Sequence, residues 1–366
     1  MFPTYASSDL TGMALFDYLI FVGRFQPFHL GHLQTVRHAL REAAKVIIIV
    51  GSARGARTFE NPWTFQEREQ LIRACLAPAD QQRVFVVGIS DRMYNDQQWV
   101  GEVQSAVDKV IAVDTANLSS RPAEYRIGMI SSSQGQDNYY LEFFPQWHQV
   151  HTAELPGVAS ADIRHHYFDP ALACQAAYDA ERLPPPVDAY LQQFRQTEQY
   201  RNLVTEYAYI QDYKRSWARA PYPPTFVTVD TMVVYSGHIL LVRRRTQPGK
   251  GLWALPGGFV DQQERIRDAA IRELREETKL KVPAPVLAGS IRASRVFDHP
   301  KRSLRGRTIT HAFLIELPPT QDGLPKVKGS DDADKAKWVP LFEFSRMEDQ
   351  LFDDHFYIVN WFLGQI

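Results

Sequence analysis

The chain has 366 residues, 45% hydrophobic and 23% charged, a balance that suits two ordinary soluble domains and excludes a disordered or fibrous protein. A formal net charge of −1 excludes a surface built to coat a polyanion. Two cysteines, Cys75 and Cys174, are too few for a disulfide scaffold and suit a reducing compartment. No run approaches the roughly 18 apolar residues that span a bilayer, and the first residues lack a secretory pattern, so the expected location is the cytoplasm.

Residues 1–17 read as an N-terminal tail. From residue 18 to 183, short apolar runs alternate with helical segments. YLIFVG, KVIIIVGS, RVFVVGIS, RIGMISSS and HQVHTA are candidate strands, while TFQEREQLIRACL and DQQWVGEVQSAVDKV carry helical spacing. Nearly all-apolar strands between helices predict an α/β domain with a doubly wound parallel sheet, Rossmann-like in type. Three consecutive prolines, Pro184 to Pro186, interrupt the pattern, and residues 184–219 read as a helical linker. Beyond residue 220 the texture becomes α+β, opening with a hairpin that turns at Ser236-Gly237 and running to residue 366.

Where the first strand hands over to a helix, the chain reads GRFQPFHLGH, 23–32. His29 and His32 share one face of the first helical turn, beside unpaired backbone N–H groups and the positive end of the helix dipole. That arrangement predicts a phosphate-binding corner, with Gly23 allowing close approach and Pro27 stiffening the entry. In the second domain, Glu273, Glu276 and Glu277 stand at i, i+3 and i+4 in RELREE. Three carboxylates on one helix face repel unless a hard cation such as Mg²⁺ sits among them.

The acidic stretch resembles the Nudix box: Gly258, five residues, Glu264, seven residues, then Arg272-Glu273-Leu274-Arg275-Glu276-Glu277. The resemblance implies Mg²⁺ (or Mn²⁺) held by Glu273, Glu276 and Glu277, with Glu276 and Glu277 catalytic and Glu264 and Arg272 in support. Lys279 stands where the box usually carries Gly. The general base is open, Asp331-Asp332 being one candidate.

The N-terminal stretch resembles the GxFxPxHxGH signature of the nucleotidyltransferase superfamily, matched by Gly23, Phe25, Pro27, His29, Gly31 and His32. This implies ATP as substrate, with His29 and His32 on its phosphates. ARTFENPWTFQER, 56–68, resembles a stretch of nicotinamide mononucleotide adenylyltransferases, through Arg57, Asn61, Pro62 and Trp63. Trp63 or Trp99 could stack on a nicotinamide ring. VASADIR, 158–164, resembles a motif that places Arg164 on the triphosphate, although Ala161 replaces its Thr, and SQGQD, 133–137, departs from the related pattern.

Taken together, the chain resembles the bifunctional nicotinamide mononucleotide adenylyltransferase/ADP-ribose pyrophosphatase family. Arg302, Arg305 and Arg307, in FDHPKRSLRGRTITHAF, are further candidates for substrate phosphates or ribose. The resemblance implies small nucleotides as partners (ATP, nicotinamide mononucleotide, ADP-ribose), no nucleic acid and no membrane, and leaves a homo-oligomer open. Two alternatives stand beside it. One is a Nudix hydrolase with a degraded or differently specific first domain, and the other a Nudix-type regulator that senses an NAD metabolite.

Overall fold

The computed structural model describes residues 14–118, 124–132, 136–172, 181–321 and 323–365. The first sheet is five-stranded and parallel, with order β3-β2-β1-β4-β5. Its strands are β1 (Phe16–Gly23), β2 (Ala43–Val50), β3 (Val84–Gly88), β4 (Ile127–Ser131) and β5 (His148–His151). Both faces are buried, which explains the near-continuous apolar strands. Leu19 and Phe21 of β1 face one core, with Val46 and Ile48 of β2. Tyr18 and Ile20 face the other, with Ile47 and Ile49. Helices α1 (Leu30–Glu42), α2 (Phe65–Ala74), α3 (Pro78–Gln81), α4 (Asp96–Asp114) and α5 (Ser160–Phe168) complete the wound domain. The chain runs outward from β1 through β2 to β3, then crosses back by α4 to β4 on the other side of β1, so the loop after β1 lies at the switch point where such sheets bind ligands.

Residues 184–219, expected as a linker, form α6 (Pro185–Phe194) and α7 (Glu198–Trp217). Val187, Leu191, Phe194, Leu203 and Tyr207 are buried in the first domain's core, so the two helices complete that domain. Proline at the start of α6 breaks nothing, because the first helical turn needs no N–H at that position.

The second sheet is mixed, with order β10-β11-β6-β7-β12. The expected hairpin is β6 (Thr225–Tyr235) and β7 (His238–Arg244), turned by Ser236 (φ 45°) and Gly237 (φ 73°). The short strands β8 (Trp253–Ala254) and β9 (Gly257–Phe259) pair with β7 and β6, and α8 (Ile266–Thr278) carries the acidic face across β9. Helix α9 (Ala284–Gly289), strands β10 (Ile291–Phe297), β11 (Arg307–Glu316) and β12 (Ala333–Pro340), and helices α10 (Leu341–Phe344) and α11 (His355–Leu363) follow.

The two domains share polar contacts. Glu206 of α7, buried, accepts from Phe59 N at 2.9 Å in the first domain and from Gly249 N at 3.1 Å in the second. Ser90 Oγ donates to Glu348 at 2.9 Å, and Tyr94 OH donates to Asp354.

Candidate active sites

The GRFQPFHLGH stretch leaves β1 and enters α1 with His29 as N-cap. Each imidazole caps the other residue's backbone: His32 N donates to His29 Nδ1 at 3.3 Å and His29 N donates to His32 Nδ1 at 3.2 Å. The rings stack with centroids 3.5 Å apart. Since both Nδ1 atoms accept, each neutral ring carries its proton on Nε2, the nitrogen left for a ligand. Burial lowers the His29 pKa to about 4, and burial plus the neighbouring ring pushes His32 well below its ordinary value. The corner therefore offers neutral donors at pH 7 and has affinity to spare for an anion.

Arg164 reaches the same corner from α5, and its Nη1 donates to Gln26 O at 2.6 Å. Its Nε is buried without a partner among the described residues, and burial with the nearby Arg24 lowers its pKa to about 10. A buried guanidinium with a spare donor is an anion-seeking group. Ser160 Oγ donates to Pro27 O at 3.1 Å, tying the start of α5 to the loop despite Ala161. Sequence reading missed Arg68, whose guanidinium holds Arg24 O, Gly51 O and Ser52 O at 2.7–3.0 Å, fixing the ends of β1 and β2. Asp91 adds to this frame through Ser52 N and Oγ.

The second site is organised by Arg272. Its guanidinium donates to both oxygens of Glu264 (2.6 and 3.0 Å), to Glu273 and Glu276 (2.9 Å each), and to Phe259 O at 3.3 Å. Glu277 is buried and accepts from Gly257 N at 3.0 Å. Burial, helped by Glu273 and Asp230, pushes its pKa up to about 8, and burial also raises Glu273. The glycines of β9 make the contact possible. A Cβ on Gly258 would lie 2.5 Å from Glu273 Oε1, and one on Gly257 would lie 2.1 Å from Val229 O.

Among the described residues no three acidic, His or Cys side chains already close on a common point as a metal cage. The donor set is nonetheless all carboxylate oxygen beside a glycine cradle, and so fits a hard divalent ion. Lys279 ends α8 in the left-handed conformation (φ 51°, ψ 26°), so the backbone keeps the geometry glycine would give. Asp331 (φ 58°) is among the charges acting on Glu273.

A cytidylyltransferase-like family model matches residues 20–165, and a NUDIX-domain model matches residues 224–362. The nicotinamide/nicotinic acid mononucleotide adenylyltransferase of Acinetobacter baylyi is 35% identical over 196 residues, 53% of this chain and 95% of that protein. The ADP-ribose pyrophosphatase of Methanocaldococcus jannaschii is 35% identical over 115 residues, 31% of this chain and 62% of that protein. Both domains match at once in a crystal structure from Francisella tularensis, a bifunctional NMN adenylyltransferase/ADP ribose pyrophosphatase complexed with AMP and a Mn ion. The TM-score is 0.85 and the identity 35%, over 96% of this chain and 99% of that one. This chain belongs to that bifunctional family.

For a member of the bifunctional family, several sequence-predicted contacts fall away from the open sites. Phe25 is 1% exposed and packs under the histidines, its ring 4.9 Å from His32. Gly23 has an ordinary φ, and a Cβ there would lie 2.8 Å from the Phe25 ring, so the glycine makes room for that ring. Trp63 has no exposed surface and packs against Tyr167, Phe168 and Phe194, which rules out stacking on a ligand. Arg57 is engaged by Pro62 O and Glu67, and Asn61 by Gly55 O and Ala56 O, so both brace the loop before α2. Trp99 stays half-buried, edge-on to Tyr140 and Phe144.

Arg302 is 5% exposed and makes a two-pronged ion pair with Asp354 at 2.9 Å, which removes it from substrate contact. Arg307 holds Asp298 O at 2.5 Å, whereas Arg305 is half-buried over the Phe259 ring. SQGQD and Cys174 lie outside the described residues and side chains. Cys75 is free, with its thiol pushed up to about 12 by burial. Arg244, in the hairpin's run of three arginines, acts on Glu277 and Asp353. No described helix is long and apolar enough to cross a membrane.

Proposed function

We propose that the protein carries out two reactions of NAD metabolism at separate sites. The first domain joins nicotinamide mononucleotide to ATP, giving NAD and pyrophosphate. The second hydrolyses ADP-ribose to AMP and ribose 5-phosphate. The single observation that carries this reading is the match of both domains, in order, over nearly the whole length of one bifunctional relative.

In the first site the acceptor's phosphate oxygen attacks the α-phosphorus of ATP, and the bond to pyrophosphate breaks. His29 and His32 would donate from Nε2 to the ATP phosphates, and Arg164 would donate from its free Nε. These groups stabilise charge that shifts onto the leaving pyrophosphate, without a covalent intermediate. Trp99 is the remaining sequence-predicted ring with exposed surface for the pyridine of the acceptor.

In the second site Glu273, Glu276 and Glu277 would hold Mg²⁺ or Mn²⁺, which when bound neutralises the pyrophosphate and activates water. Arg272 aligns Glu273 and Glu276, while Glu264 fixes Arg272. Asp331, whose charge acts on Glu273, is the candidate to take a proton from the attacking water. The two-cysteine composition suits a cytoplasmic enzyme.

The test is purified protein with Mg²⁺, assayed separately for NAD formation and for AMP release from ADP-ribose. Each reaction is expected, and Glu276→Gln and His29→Ala should each silence only its own. ADP-ribose cleavage without NAD formation would overturn the first assignment, and the reverse result would overturn the second.

A further inference from the structure

A continuous chain of buried polar side chains ties the acidic face of the second domain to the first domain. It begins at Tyr94, which lies between β3 and α4 yet packs into the core of the second domain. Its ring meets Phe297 edge-on with centroids 4.9 Å apart, and its hydroxyl donates to Asp354, the residue that precedes α11. We propose that Tyr94 is a positioning residue of the hydrolase, supplied by the other domain, which fixes the backbone of β8 and β9 beneath Glu277. The inference rests on the hydrolase reading above and carries the support of that site beyond its own domain.

Each link beyond Tyr94 is short and buried. Asp354 has no exposed surface and takes both prongs of Arg302 at 2.9 Å. Arg302 Nη2 lies 3.7 Å from Asp230 Oδ2 on β6, and that oxygen also accepts from Thr310 Oγ1 at 2.6 Å. Asp230 is in register with Gly257, where a Cβ would lie 2.7 Å from Asp230 Oδ1. Gly257 N in turn donates to Glu277 at 3.0 Å. A second branch leaves the start of α11 at His355, whose Nδ1 accepts from Leu255 N at 2.8 Å. Between the two branches, Pro256 O accepts from Thr231 N at 2.8 Å. Three consecutive residues that lead into β9 are thus held one by one, and the outer two trace back through Asp230 and His355 to the helix start that Tyr94 pins.

Burial and the Asp354 charge hold the Tyr94 phenol well above its ordinary pKa, so the hydroxyl stays a donor. A buried carboxylate shared by a guanidinium and a phenol is balanced only while both donors remain. Without the hydroxyl, a lone pair of Asp354 goes unsatisfied in the interior. The chain relieves that penalty only by shifting Arg302 or the start of α11, and either shift reaches the backbone under Glu277. The other polar bridge from this part of the first domain runs elsewhere. Ser90 Oγ donates to Glu348 at 2.9 Å, and Glu348 also accepts from Tyr357 OH at 3.2 Å, so this route meets α11 after its start.

The experiment uses the full chain and compares wild type, Tyr94→Phe and Ser90→Ala. Phenylalanine keeps the ring in the second core and removes only the hydroxyl. Mn²⁺ affinity without substrate is read by electron paramagnetic resonance, and hydrogen exchange of the β8–β9 segment by mass spectrometry. ADP-ribose hydrolysis supplies kcat and KM. Tyr94→Phe should weaken Mn²⁺ binding and lower kcat roughly tenfold, as loss of an outer-sphere partner does, with KM within about twofold of wild type. Exchange in β8–β9 should quicken, while NAD formation stays at the wild-type rate. Ser90→Ala should leave every hydrolase readout at its wild-type value, which separates positioning from adhesion between domains. If wild type does not cleave ADP-ribose, the hydrolase reading fails and this inference falls with it. If wild type cleaves it and Tyr94→Phe keeps wild-type Mn²⁺ affinity and kcat, Tyr94 has no positioning role. Equal losses in Ser90→Ala would reduce Tyr94 to interface adhesion and also overturn the proposal.

Discussion

The two sites solve opposite electrostatic problems. The first awaits an anion and is already assembled: two neutral imidazoles cap each other's backbone, and Arg164 stands ready beside them. The second gathers like charges, and its carboxylates are dispersed onto Arg272 and Gly257 N rather than focused on one point. An anion site can be built largely from neutral donors around one guanidinium, so its groups need not repel one another. A cluster of carboxylates repels itself, and here each one is held by another partner, Arg272 or Gly257 N.

The largest effect should come from removing a ligand in the second site. Glu276→Gln, or chelation of divalent ions, should reduce ADP-ribose cleavage on the order of 10³-fold, because metal ions supply several kcal/mol of charge stabilisation. A stopped assay of AMP release checks this. NAD formation by Glu276→Gln should stay at the wild-type rate.

In the first site, His29→Ala and His29→Asn separate capping from chemistry. Both should lower NAD synthesis about 10²-fold through loss of a phosphate donor. Only the alanine variant should also lose about 1 kcal/mol in urea unfolding, since Asn is an effective N-cap.

The pH dependence sharpens the contrast further. His29 titrates near 4 in the folded chain against about 6.5 when unfolded, so the unfolded state binds more protons between those values. Its contribution is complete above about pH 6.5 and is lost as pH falls toward 4, by up to about 3 kcal/mol. Thermal unfolding followed from pH 7 to 4 should show the decline, and it should be shallower in His29→Asn. Glu277 has the opposite sign. Its folded pKa of about 8 lies above the unfolded value, so without metal it disfavours the fold increasingly as pH rises from about 4.5 through 8. Added Mn²⁺ should therefore raise Tm more at pH 8 than at pH 6.

The smallest effect concerns the end of α8. Lys279→Gly should stabilise the protein by about 1 kcal/mol at most, because a non-glycine residue in the left-handed region carries strain that glycine lacks. Chemical denaturation would reveal it, and ADP-ribose cleavage should be unaffected.

Local chemistry made much of this protein legible before any coordinates. The apolar runs fixed strand identity, the histidine pair marked a helix start, and the RELREE spacing placed three carboxylates on one face. Each depends on residues within one or two turns, where periodicity translates directly into geometry. What stayed hidden depended on distant partners. Arg302 reads as a free cation in a basic loop until Asp354, 52 residues away, is found holding it in the interior. Trp63 reads as a stacking ring until α5 and α6 close over it. The prolines before α6 suggest a linker, yet Val187, Leu191 and Phe194 commit that helix to the first core. Side-chain types and their short-range spacing determine which chemistry is available. Which of those side chains keep a face open to a ligand is settled by burial against residues far along the chain.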